Sequence, residues 1–131
     1  MAQKAVELIL MRQLASCLAV PVFLVDPEGT LLYYNEPAER LLGRRYDETG
    51  EMPASEWATM FTPTAEDGSP LPADELALSV ALRKWHPAHR GLIIRSLDGV
   101  TRRIAVTAFP LEGQGGRRLG AVAIFWEDRP A

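Results

Sequence analysis

Residues 22–43 read VFLVDPEGTLLYYNEPAERLLG, and the fold follows from this stretch. Val22 to Val25 is a short β-branched and apolar run with the composition of a buried strand. Asp26-Pro27-Glu28-Gly29 has turn chemistry at every position: Asp accepts a backbone bond, Pro presets φ and Gly closes the turn. Leu31 to Tyr34 is the returning strand, so the pair reads as a hairpin. Asn35 is a good N-cap, Pro37 is tolerated in a first helical turn, and Gly43 is the expected left-handed stop. Ala38, Leu41 and Leu42 supply that short helix with an apolar face.

Upstream, residues 2–19 read as a helix. Val6, Ile9, Leu10, Leu14, Cys17 and Leu18 recur at helical spacing, Leu8 and Met11 widen the stripe, and Pro21 ends it. A stripe that wide implies burial on more than one side, against the domain or another chain. Downstream, Arg44 to Met52 is a polar loop or single turn, and Ser55 to Met60 can form a short helix with Trp57, Met60 and Phe61 facing inward. Thr62 to Pro72 is a loop punctuated by Pro63, Gly68, Pro70 and Pro72. Ala73 to Trp85 reads as the best interior helix, ended by Pro87 and Gly91. Strands follow at Leu92–Ser96, Arg102–Leu111 and Leu119–Glu127, with Asp98-Gly99 as a hairpin signal and Gly113 to Gly116 as a flexible loop. Two strands, a helical middle and three more strands make an α+β domain with one antiparallel sheet.

The chain has 131 residues, 47% hydrophobic and 24% charged, which is one globular domain's worth. A net charge of -3 gives no basic field for nucleic acid. No apolar run approaches the roughly 20 residues of a membrane span. Leu14-Ala15-Ser16-Cys17 has the look of a lipidated bacterial cysteine, but Glu7, Arg12 and Gln13 interrupt the apolar stretch a signal peptide needs. A cytoplasmic location is the expectation. The single cysteine excludes an internal disulfide, and Cys17 is expected as a small buried residue.

The stretch at 22–43, followed by DGSPLPADELALSVAL at 67–82 and LDGVTRRIAVTAFPLEGQGGRRLGAVAIFWED at 97–128, resembles the PAS domain family. The resemblance rests on the ordered set of motifs and covers about residues 20 to 127. It implies a five-stranded antiparallel sheet in the order 2-1-5-4-3. Short helices would enclose a small pocket on one face, and the N-terminal helix would lie on the other and build a dimer. The expected organisation is an N-terminal helix at 1–20, the PAS domain at 21–128 and a tail at 129–131. A sensory or interaction module is implied, not an enzyme. The chain departs from the family at WHPAHR (85–90), where many relatives have a small residue such as glycine. It departs again at its end, where Glu127 and Arg129 replace the Asp and Thr of an Asp-(Ile/Val)-Thr closure. An output carried by a separate effector protein is expected.

A flavin–thiol adduct needs a cysteine beside the pocket, and Cys17 lies outside the matched core. Haem needs an axial ligand; His86 and His89 are the candidates, but Pro87 ends the helix there, and both read as solvent-facing or capping. No cofactor and no metal is expected. No nucleophile–base order and no phosphate-cradling glycine loop is visible. Between Asp26 and Glu75 there are 12 acids against 3 arginines, and between Arg83 and Arg118 there are 8 basic residues against 2 acids. The two halves can pair within the fold. Alternatively Arg95, Arg102, Arg103, Arg117 and Arg118 form a patch for an acidic partner.

Both faces of the last two strands are apolar or small, so both must be covered. From the family's register, Val106, Ala108, Val122 and Ile124 are assigned to the pocket, facing Tyr34, Leu41, Trp57, Phe61, Leu76 and Val80. Such a wall would take a small apolar or aromatic ligand. The opposite face, through Phe109, Ala121, Ala123 and Phe125, is assigned with Val6, Ile9, Leu10 and Leu14 to a homodimer. The alternative is a ligand-free protein–protein interaction scaffold with a filled core.

Overall fold

The turn in the opening motif is held by the atoms its sequence predicts. Asp26 Oδ1 accepts the N–H groups of Glu28 and Thr30 at 2.9 Å each, and Gly29, at φ +91°, donates to the Asp26 carbonyl at 2.9 Å. The turn joins β1 (Val22–Val25) to β2 (Leu31–Tyr34). Asn35 caps α2 (Glu36–Leu42) by accepting the Ala38 N–H at 3.2 Å, and Gly43 closes it at φ +81°. These contacts come from a computed structural model that describes residues 6–53, 55–57, 63–96 and 99–127.

A single turn, α3 (Tyr46–Thr49), follows, and residues 55–57 are helical. The loop after them pairs with the sheet edge, Thr64 exchanging both backbone bonds with Ile93. The expected continuous helix from Ala73 is broken. A 3₁₀ turn at Ala73–Glu75 precedes α4 (Ala77–Lys84), because Leu76 takes an extended conformation and buries its side chain in the core. Trp85 ends α4 in the left-handed conformation, φ +55°. With that stop, β3 begins at Ala88 and runs to Arg95, so Gly91 lies inside a strand and does not end a helix. β4 (Thr101–Glu112) and β5 (Arg118–Glu127) complete the set.

The strands form one antiparallel sheet in the order β2-β1-β5-β4-β3, as the family resemblance implies. Cross-strand partners share a face, so the register assigns every side chain. Ala88, Ala108, Ala123, Phe23 and Tyr34 form one row on the inner face, and Arg90, Val106 and Phe125 form the next. Helices α2 and α4 cover this face. On the outer face, α1 (Val6–Cys17) packs Leu8, Met11 and Ala15 against Val22, Leu24, Leu32, Leu119 and Val122. Burying Leu8 there contributes about 2 kcal/mol.

The register corrects the face assignment of β5. Ala123 pairs with Ala108 and Phe125 with Val106, so Ala121, Ala123 and Phe125 point inward, and Val122 and Ile124 point outward under α1. Both alternating sets are apolar, so the strand's own sequence carries no polar marker of which side meets the helices. Gly120, at φ +138°, sits where an added Cβ would lie 2.0 Å from the Val25 carbonyl oxygen. The sheet is irregular beside it, between Leu111 and Glu112, and this places Leu119 and Val122 on one face.

Cys17 is exposed, not buried. The apolar side chains of α1 packed on the sheet are Leu8, Met11 and Ala15, with Arg12 over the Tyr33 ring; this is a narrower apolar stripe than the sequence pattern, and Cys17 falls outside it.

Candidate functional site

Between the inner face of the sheet and the helical layer lies a cavity of about 80 Å³. The sheet contributes Phe23, Leu92, Ile94, Ile104, Val106, Ala123 and Phe125 to its wall. The helical side contributes Leu42, Trp57, Pro63, Leu76, Ala77 and Leu78. Every one of these side chains is apolar apart from the indole N–H of Trp57, which donates to the Gly29 carbonyl at 2.8 Å. That bond ties the helical turn at 55–57 to the β1–β2 turn and holds the indole, which is buried, in one position.

Aromatic rings brace one side of the cavity. Phe23 meets Phe125 edge-to-face at 5.2 Å between centroids and Trp57 edge-to-face at 6.4 Å. These separations lie in the range where the ring quadrupoles attract. Tyr34 packs on Phe23 at 5.4 Å and sends its hydroxyl away from the cavity wall, donating to the Arg44 carbonyl at 3.0 Å beside Thr49 Oγ1 at 3.2 Å. Burial disfavours the phenolate and raises the Tyr34 pKa above the ordinary 10.0.

Of the residues assigned to the pocket from sequence, Trp57, Leu76 and Val106 line the cavity. Tyr34, Leu41 and Ala108 belong to the same inner core but stand outside the cavity wall. Val80 is half-buried on α4 and does not reach it. Val122 and Ile124 are on the opposite face, for the reason the register gives. Phe61 lies outside the described residues. The other ten wall residues were not assigned from sequence: Phe23, Ala123 and Phe125 on β1 and β5, Leu92, Ile94 and Ile104 on β3 and β4, and Leu42, Pro63, Ala77 and Leu78 on the helical side. A signal for the β5 pair was available: an antiparallel β4–β5 register that aligned Ala108 with Ala123 would have placed both.

The assigned dimer residues divide in the same way. Val6, Ile9, Leu10 and Leu14 are between 52% and 66% exposed and form an uncovered apolar stripe on α1. Phe109 lies on the outer face beside that helix. Ala121, Ala123 and Phe125 are removed from the assignment, because they are buried on the inner face.

Neither histidine faces the cavity. His89 is on the outer face of β3, its Nδ1 2.9 Å from Thr107 Oγ1, and His86 is exposed with Nδ1 2.8 Å from the Pro87 carbonyl. Among the described residues, no cluster of three or more His, Cys, Asp or Glu side chains could hold a metal ion. No helix among them is long and apolar enough to cross a membrane. The charge asymmetry is met largely inside the fold. Arg103 pairs with Glu66 at 3.1 Å and Arg117 with Glu7 at 3.0 Å, Arg102 donates to Ser96 Oγ at 2.7 Å, and Arg118 lies 4.7 Å over the Trp85 ring.

The family described as PAS fold matches residues 17–127. The chain belongs to that family. PAS domains are sensory and interaction modules, not catalytic ones, and they commonly mediate protein contacts and dimerisation. None of the curated proteins matches the chain. Among solved structures, the PAS domain of BvgS from Bordetella pertussis is 17% identical with a TM-score of 0.63, covering 95% of this chain and 87% of that one. The PAS domain of nitrogen regulation protein NR(II) from Vibrio parahaemolyticus is 17% identical with a TM-score of 0.63, covering 91% and 98%. A Rhodobacter sphaeroides LOV protein is 14% identical with a TM-score of 0.70, covering 92% and 67%. At these identities the likeness is one of fold.

Proposed function

We propose that this PAS domain is a cytoplasmic, non-catalytic sensor. It takes a small apolar or aromatic molecule between the sheet and the helices, and signals through contacts with a second copy of the chain and a separate effector protein. The observation that carries the reading is the cavity wall, built from apolar side chains of both layers. An apolar hollow at a helix–sheet junction excludes water and rewards an apolar guest. Its size bounds the guest: an apolar cavity of about 150 Å³ admits benzene, and this one is about 80 Å³. A short aliphatic chain fits, or a single ring with modest repacking.

The contact surface is the stripe of Val6, Ile9, Leu10 and Leu14 on α1, with Phe109 beside it. Burying these four helix side chains in a dimer would contribute on the order of 1 kcal/mol each. The smallness of the cavity also supports a second reading, a ligand-free scaffold that uses α1 alone.

Native mass spectrometry of the protein expressed in a bacterial host, beside its denatured mass, separates the two readings. The sensor reading expects a dimer carrying added mass that denaturation releases. A dimer of bare chains supports the scaffold, and a bare monomer contradicts both.

A further inference from the structure

Among the described residues, the inner face of the sheet holds one charged side chain without a partner. Arg90 sits on β3 opposite Val106, so the two side chains leave the same face of the sheet. Its neighbour along the strand on that face is Leu92, and both Val106 and Leu92 line the cavity. Arg90 is half-buried. Its Nε is shielded from solvent and has no hydrogen-bond acceptor, and no carboxylate among the described residues pairs with the guanidinium. The neighbouring Arg102 and Arg103, by contrast, are engaged by Ser96 and Glu66.

A guanidinium keeps its proton throughout the physiological range, so it cannot relieve burial by neutralising. A shielded N–H without an acceptor is a cost that native structures seldom carry. A carboxylate removes that cost, because the Nε edge of arginine presents two parallel donors that match the two carboxylate oxygens. We propose that Arg90 anchors the head of an amphiphilic monocarboxylate, a short aliphatic or monocyclic aromatic acid, whose apolar tail occupies the cavity beside Val106, Leu92 and Phe125. This inference rests on the ligand-binding reading and specifies the ligand class. The cavity, about 80 Å³, favours a short tail. Two described arginines leave this face, Arg90 opposite Val106 and Arg102 opposite Ile94; Arg102 is engaged by Ser96, so Arg90 is the one that selects a single negative charge at one end.

Calorimetric titration with pentanoate and benzoate, each beside its uncharged counterpart pentanol or benzyl alcohol, tests the proposal. The acids should bind at least tenfold more tightly than the alcohols. In Arg90→Gln that preference should collapse to about twofold or less, and Arg90→Lys, which keeps the charge but loses the paired donors, should restore only part of it. A melting curve for each variant establishes that it is folded, and Arg90→Lys stands in if Arg90→Gln is not. Acids and alcohols binding equally to the native protein would overturn the assignment of Arg90 and leave the pocket reading intact. Failure of all four probes to bind would overturn both.

Discussion

Asn35 uses every hydrogen-bonding group on its side chain. Its amide nitrogen donates to the carbonyls of Ala15 at 2.9 Å and Val20 at 2.8 Å, and its oxygen accepts the N–H groups of Val22 at 3.0 Å and Ala38 at 3.2 Å. One buried side chain therefore caps α2, fixes the start of β1 and fastens the end of α1 to the sheet. Each such bond contributes about 1 kcal/mol net, and more when its loss strands a buried partner. Asn35→Ala is expected to cost about 3–5 kcal/mol in urea denaturation. Asn35→Asp keeps the acceptor but sets a carboxylate against two carbonyls. It should therefore release α1 selectively, seen as faster amide exchange in residues 6–17 than in β1. Equal exchange in both elements would contradict the fastening role. The cap on α2 was legible in the sequence. The bonds to Ala15 and Val20 were not, because nothing local indicates that a helix twenty residues upstream returns to this point.

The elements show where sequence patterning is informative and where it is silent. The hairpin, α2 and the three late strands could be read because each ends in punctuation with a specific backbone requirement, such as Gly29 and Gly43 at positive φ. The start of α4 could not, because Leu76 is a good helix former held extended by what it buries. Val106 and Ala108 of β4 lie on the inner face, whereas Val122 and Ile124 of β5 lie on the outer one, opposite to the expectation. A strand covered on both faces has no polar side, and only its pairing partner settles the direction. For α1 the pattern was informative in a different way: the stripe is wider than the sheet can cover, and the structure leaves Ile9 and Leu10 outside at 54% and 57% exposure. Substituting Ile9→Glu and Leu10→Glu together should therefore disperse the proposed dimer to monomer in light scattering while changing the monomer's melting temperature little. A dimer that survives both charges would show that this face of α1 is not the interface.

Across the whole molecule, the sheet separates two apolar layers with different roles. The outer layer, under α1, continues into an uncovered apolar stripe. The inner layer is packed around a small hollow, and Arg90 lies cross-strand from Val106 of its wall. A ligand in the inner layer touches the same strands, β4 and β5, whose other face carries α1. The route from pocket to contact surface is therefore one sheet thick. A guest biases that route only to the extent that it binds one arrangement of the two layers better than another. The family and its sheet order were legible from the ordered motifs. The cavity wall was legible only in part, because Phe23, Ala123 and Phe125 converge from strands far apart in sequence.

The most direct test of the pocket is methyl NMR of the Leu, Ile and Val side chains during titration with benzene. Shifts are expected only in the inner set, Leu42, Leu76, Leu78, Leu92, Ile94, Ile104 and Val106, with Leu8, Leu24 and Val122 unmoved. Shifts centred on the outer set, or none at saturating benzene, would contradict the pocket.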